Sequence, residues 1–400
     1  MLIQIIFFVL MLFGVAALTI DMGLARLTQV QMQNAADTAA LEGLRYGNEI
    51  PPSPIPGCRP MTDPDSYRRC AAAYISAWTF DANFNLNDND QDPSQLDPRR
   101  IGAGPKIEIT DAGQAEYGGL SAYNAQDSGV YSLANAGQPT LQINKNGVCE
   151  DGTTGNCQYG DMVSGQYNNS NPHLEDSQYN RADFTPDPSS TPSFLVRLRR
   201  TNDFQGLDNK PAVSSSGPPL ALMFGRGTFI HKDDDPNDPN PNNYNPRIDG
   251  ITVRATAIAN ARPALRVGSA SNGLPGVTTA AITSTCWEMI VATASPLPLP
   301  LECVGLPVGV PAAQTVGTQI TPNVGSLTIP AEGAYVPIFD GSQRVIGFGF
   351  VQTAGGNIAG IPSWVATGNA TALVTGGLQI QGLNLLSAQD GALLVPVLSR

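Results

Sequence analysis

The residues most suggestive of chemistry form one acidic, amide-rich run: Asp81, Asn83, Asn85, Asn87, Asp88, Asp90 and Asp92 within DANFNLNDNDQD. Oxygen donors at alternate positions suit a hard cation. Ligands at positions one, three, five, nine and twelve follow the order of an EF-hand loop, whose flexible oxygen cage holds calcium. Asp81, Asn83, Asn85 and Asp92 stand at positions one, three, five and twelve, and with Asp90, one place beyond the ninth residue Asn89, they are the calcium candidates. Two positions depart from the pattern: Leu86 stands where the sharp turn wants glycine, and Asp92 stands where a bidentate Glu is usual. The bland reading of the same residues is a solvated loop after a helix. A second acidic cluster, Asp233–Asp238, is spaced irregularly by Pro236 and Pro239.

Six cysteines supply the other reactive groups. They fall into three local pairs, Cys58 with Cys70, Cys149 with Cys157 and Cys286 with Cys303. Zinc would call for C-x-x-C pairs or neighbouring histidines. The chain has two histidines, His173 and His231, each in a polar, proline-bearing context. An even count at short spacing points instead to disulfides and an oxidising compartment. Hydrolytic and nucleotide chemistry find no motif: there is no G-x-S-x-G elbow and no glycine-rich phosphate loop between a strand and a helix. The sequence reads as non-enzymatic, with no cofactor beyond the calcium candidate. Its net charge of −12 argues against a nucleic-acid surface.

These groups are carried by a chain with three kinds of segment. Leu2–Ile20 is apolar apart from Gln4 and Thr19, and helical sequence continues without proline to Tyr46. About 20 apolar residues cross a bilayer as helix, so one helix is expected to begin in a membrane and project from it. Cleavage after Val15-Ala16-Ala17 is the rival reading, as a secretory signal, but no Lys or Arg precedes the run. The projecting half carries Leu24, Leu27, Gln31, Ala35, Thr38 and Leu41 at helical spacing, with Ala36 and Ala40 beside that line. Small residues let a second helix approach closely. Gly47 and Pro51-Pro52 stop the helix. Asp21 sits at the end of the span, where the expectation is an interfacial carboxylate that could meet a cation on a neighbouring subunit.

The passage Gly14–Leu24, with Leu27 and Gln33-Asn34-Ala35-Ala36-Asp37-Thr38-Ala39-Ala40-Leu41, resembles the N-terminus of TadG-like and TadE/G-like proteins of the bacterial Flp (tight-adherence) pilus system. A looser likeness runs through Phe194–Arg199, Pro218–Arg226 and Ile251–Ala259. The resemblance implies a minor pilin-like subunit, held in the inner membrane as a single pass, with its bulk in the periplasm or outside the cell. Its partners would be other pilin-like subunits, met through Asp21, Gln33, Asn34, Ala35, Ala36, Asp37, Ala39 and Ala40. The Asp-x-Ser-x-Ser metal motif of some larger relatives is not found, since Asp340-Gly341-Ser342-Gln343 does not complete it.

The expected fold class is α+β. The helix of residues 1–46 is followed by a pilin-like antiparallel sheet domain, 47–262, with long polar loops, and by an all-β domain, 263–400. Charged residues make up 14% of the chain, against roughly 25% in ordinary domains. Gly (41) and Pro (33) point to many turns. A short helix is expected at 66–80, strands at 106–110 and 141–143, and an irregular loop over 144–193. Phe194, Val196 and Leu198 alternate with Arg197 and Arg199, and Ile251, Val253 and Ala255 alternate with Thr252, Arg254 and Thr256. Both read as half-buried strands. A hairpin is expected at 335–351 around Asp340-Gly341, with further strands at 287–292, 327–329, 372–375 and 393–398. The alternative function is a surface adhesin whose C-terminal domain binds a ligand.

Overall fold

The computed structural model describes residues 2–45, a few helical residues between 68 and 76, the short stretches 107–110, 141–144, 162–168, 183–187 and 192–200, Leu220, and most of 251–399. The acidic run 81–92, the cluster 233–238, both histidines, the strand expected at 372–375 and the first four cysteines lie outside the described residues. The chain divides into two compact units. One comprises 1–43, 50–259 and 398–400; the other comprises 44–49 and 260–397.

The first unit is built on helix α1 (Leu2–Arg45). Forty-four residues at about 1.5 Å rise give a rod of roughly 66 Å. Strands β1 (Ile107–Thr110) and β2 (Leu141–Asn144) pair in parallel. Strands β3 (Met162–Tyr167), β4 (Phe184–Pro186), β5 (Ser193–Arg200) and β6 (Val253–Pro263) stand in the order β6-β5-β3-β4, with β3 antiparallel to both its neighbours. Val163, Phe184, Leu195 and Ile258 form the core of this sheet. Arg68, Arg69, Ala71, Ala72, Ile75 and Ser76 are helical, within the expected second helix.

Two expectations are corrected here. Residues 144–193 are not wholly irregular, because they contain β3 and β4. Averaged composition hid a six-residue strand whose buried middle is Ser164 and Gly165. Strand β5 is not half-exposed either. Leu195 and Arg197 are buried along with Phe194, Val196 and Leu198, so both its faces are covered. Strand β6 keeps the expected alternation: Val253 and Ala255 are buried, while Arg254 and Thr256 are half-buried.

The second unit centres on a six-stranded sheet. Its strands are β8 (Ala281–Thr283), β9 (Val304–Pro307), β11 (Ile320–Pro322), β12 (Ala334–Phe339), β13 (Val345–Ala354) and β14 (Asn357–Ile361), in the order β11-β9-β8-β12-β13-β14. All neighbours are antiparallel except β8 and β12. Strands β7 (Arg266–Gly268) and β10 (Ala313–Thr315) form a separate antiparallel pair, and β15 (Leu394–Leu398) lies near the C-terminus. Tyr335, Phe348 and Phe350 pack on one side with Val267 and Trp364. Val336, Ile338, Ile346 and Val351 pack on the other with Trp287 and Ile290. Coverage of both faces explains why every residue of β12 is buried.

The expected hairpin is present, but its turn works differently. Gln343 carries the positive φ (59°), not Gly341. The Asp340 carboxylate accepts from the Ser342 backbone N–H at 2.9 Å and from its hydroxyl, an Asx-type turn. Strand 327–329 is not formed; Leu327 and Ile329 pack on the core as extended chain. Strand 287–292 is a helix, α2 (Ser284–Ala292), so this unit is not all-β. The Thr283 hydroxyl accepts from Cys286 N–H at 3.3 Å and caps it. Trp287 and Ile290, three residues apart, are its buried side. Gly349 and Gly360 make the trench that takes Trp287: a Cβ at Gly349 would lie 2.4 Å from the indole. The indole N–H donates to the Asp390 carbonyl at 2.9 Å. Cys286 and Cys303 form a disulfide with Cα atoms 5.8 Å apart, within ordinary bridging range.

Candidate functional site

Helix α1 changes character at a single point. Thirteen large apolar side chains between Ile3 and Ile20 are exposed, with Phe7 and Met11 at 72%. From Asp21 onward one face of the helix is covered. Asp21 (6% exposed) is the first buried residue, followed by Thr28, Met32, Ala35, Ala36, Ala39 and Ala40, all fully buried. The uncovered segment Leu2–Ile20 is about 28 Å long, close to the thickness of a bilayer core. Among the described residues this is the one helix long and apolar enough to cross a membrane.

The covered face is occupied by the chain itself. The Gln33 side-chain amide donates to the Thr256 carbonyl on β6 at 3.0 Å, and to Asp37 Oδ1 one helical turn on at 2.7 Å. Gly43 lies against Phe194 on β5, where a Cβ would stand 2.4 Å from ring carbons. Gly43 thus lets α1 settle closely on β5, and the small residues at 35, 36, 39 and 40 are buried on the same helix. Phe194 is backed by Arg68, whose guanidinium carbon lies 6.0 Å from the ring centre and whose Nη1 donates to Ser164 Oγ on β3 at 3.0 Å. Burial pushes the Asp37 carboxyl above the ordinary aspartate range, against the lowering effect of the Gln33 hydrogen bond.

The sequence line Leu24–Leu27–Gln31–Ala35–Thr38–Leu41 is rotated from the buried face by about one residue. Leu27 is 41% exposed, whereas Thr28 is fully covered. Asp21 is buried within the chain's own unit. Asn34 is exposed, and its carbonyl accepts from the Thr38 hydroxyl at 2.8 Å. The outward strip is Gly23, Leu27, Val30 and Asn34, spaced by four, three and four residues. Among the described residues, no cluster of three or more His, Cys, Asp or Glu is placed to hold a metal. The sequence reading missed Gly43 and Thr28. Gly43 had a signal in its position, on the same face as Ala36 and Ala39; Thr28 had none, since polarity argued for exposure.

Residues 2–45 match the family model described as putative Flp pilus-assembly TadE/G-like. The matched residues are those of α1. No curated protein and no solved structure matches the chain.

Proposed function

We propose that this chain is a non-enzymatic component of a Flp-type pilus assembly, anchored in the inner membrane by residues 2–20 of α1, and that it serves as a minor pilin-like subunit. The observation that carries this reading is that the uncovered apolar segment of the family-matched helix ends where the chain's own body begins to cover it. The pilus-assembly family match covers α1, the uncovered apolar segment is one bilayer long, and the chain's own body begins to cover the helix at Asp21. Each large apolar side chain moved from water contributes about 1.5–3 kcal/mol, so thirteen of them hold the helix in lipid by on the order of 20 kcal/mol before costs. The Cys286–Cys303 disulfide supports a periplasmic or external position for the rest of the chain. Partner subunits meet the part of α1 that the chain leaves open.

The test is fractionation of the full chain in its host. The expected result is a polypeptide that resists alkaline carbonate extraction, is digested by protease added to spheroplasts, and is found by mass spectrometry in purified pili with Leu2–Ile20 retained. A chain recovered in the soluble fraction with Cys286 and Cys303 as thiols overturns the reading.

A further inference from the structure

Along the projecting half of α1 the exposed apolar positions fall on a strict repeat that ends in an amide. Ile20, Gly23, Leu27, Val30 and Asn34 are all exposed and are spaced three, four, three and four residues apart. This is the a/d pattern of a heptad, with Ile20, Leu27 and Asn34 at a and Gly23 and Val30 at d. The chain's own body covers the other side of the helix, where Asp21, Thr28 and Ala35 at b and Met32 and Ala39 at f are buried. The same repeat runs back through the apolar span at Ile6, Val9, Phe13 and Ala16, all exposed. The open seam stops at Asn34, because the next two positions on it, Asp37 and Leu41, are half-buried.

Two features of this seam specify what fits it. The first is Asn34, the polar residue at an a position. An amide both donates and accepts, so in a parallel pair of identical helices the two Asn34 side chains meet across the axis and bond each other. The second lies at the flanks, where Arg26 occupies g and Gln31 occupies e. In a parallel pair, g of one helix faces the e position five residues further along the other, which sets Arg26 of one copy against Gln31 of the other. Gln31 Oε1 is buried in the single chain and has no hydrogen-bond partner. Arg26 is exposed and offers donors alone. Turning Gln31 outward exchanges an unsatisfied acceptor for a charge-assisted bond across the pair.

We propose that a second copy of this chain covers the seam, the two α1 helices running parallel as a left-handed coiled coil from the lipid to Asn34. Parallel direction and equal register follow when both apolar spans enter the same bilayer from the same side, so the inference rests on the membrane-anchored reading of α1. Confinement to one membrane raises the effective concentration of one helix for the other. Ala16 and Gly23, at successive d positions, let the backbones approach within the lipid and at its boundary, where close packing drives helix association. Pairing on a/d leaves the b/f face on its own body, so folding and pairing use different sides of one helix.

The experiment is copper-phenanthroline oxidation of the full chain in its own membranes, carrying either Val30→Cys or Gln29→Cys, the latter exposed one residue off the seam. The readout is a disulfide joining the substituted position of two chains, identified by mass spectrometry of the bridged peptide. The yield at position 30 should exceed that at position 29 at least about ten-fold, because c positions point away from the axis. With Val30→Cys present, Gln31→Arg sets like charges at both flanks and should lower the yield roughly two- to ten-fold, whereas Gln31→Glu should raise it. Arg26→Glu combined with Gln31→Arg should restore it, which separates lost pairing from lost folding. Equal yields at positions 29 and 30, no bridge in a chain that resists carbonate extraction, bridging of position 30 to a different protein alone, or a Gln31→Arg yield that Arg26→Glu does not restore would overturn the inference and leave the anchor reading standing. A chain that carbonate washes from the membrane overturns both.

Discussion

Two glycines on one helix should respond to the same substitution with opposite sign. Alanine is favoured over glycine inside a helix by about 0.8–1 kcal/mol. At Gly23 an added Cβ meets nothing within 4 Å. Gly23→Ala should therefore slow local opening of α1 by about four- to five-fold, the kinetic equivalent of that propensity gain. At Gly43 the Cβ would stand 2.4 Å from Phe194 Cδ1 and Cε1 and 3.0 Å from Cγ. Phe194 cannot easily withdraw, being fully buried, with Arg68 close by. Overpacking of this kind costs about 1–3 kcal/mol. After the propensity gain is subtracted, Gly43→Ala should destabilise the helix by up to about 2 kcal/mol, or up to roughly thirty-fold faster exchange. The assay is hydrogen–deuterium exchange of the full chain in detergent micelles, followed on peptides covering residues 24–45. Equal protection in both variants would refute the contact between α1 and β5 on which the account of the covered face rests.

Asp37 should give a pH signature. Its folded pKa is raised by burial, so the protonated form is favoured by folding, and stability is lost as pH rises from about 4 through the folded value. Asp37→Asn should increase α1 protection at pH 7 and flatten its pH dependence; a wild-type chain equally protected at pH 4.5 and 7 would contradict this. The Cys286–Cys303 bridge closes a loop of sequence separation 17, for which chain-entropy arguments give about 3 kcal/mol. Replacing both cysteines by serine should lower the urea midpoint of Trp fluorescence; a midpoint equal to that of the oxidised wild-type chain would contradict this.

What the sequence made legible follows the range of the forces involved. Helix α1 was readable to within a residue, because its apolar run, its lack of proline and its Gly-Pro stop are local. Strands β5 and β6 were readable because alternation is local too, and β12 and β13 because the apolar runs flanking Asp340-Gly341 are. The buried side of α1 was less so. Reading leucine as buried and threonine as exposed places the face at Leu27, whereas close packing against a sheet selects for small size and puts Thr28 and the alanines inward. The mistake at Trp287–Ala292 has the same origin. Its aromatic and β-branched residues favour a strand, and the helix is decided by partners the local sequence does not contain. These are the trench at Gly349 and Gly360, some 60–70 residues away, and the Asp390 carbonyl. Strand β3 was hidden because its buried Ser164 is matched by a buried Arg68, a pairing that no local pattern reveals.

The two faces of the projecting half of α1 carry opposite obligations, and that separates folding from assembly. The alanine face, expected from the sequence to receive a partner helix, is buried within the chain itself. Ala36→Leu should therefore destabilise the first unit by about 1–3 kcal/mol whether or not other subunits are present. The proposed contact with partner subunits falls to the open apolar span and the strip Gly23, Leu27, Val30 and Asn34. Leu27→Gln combined with Val30→Gln replaces two exposed side chains and should change helix protection by no more than about 0.5 kcal/mol per site. The same variant should be depleted from purified pili while remaining in the membrane. Recovery of the double variant in pili at the wild-type level would remove this strip from assembly. Depletion of a fully protected Ala36→Leu chain would show that the alanine face opens to receive a partner, and that the helix leaves its own sheet when it does.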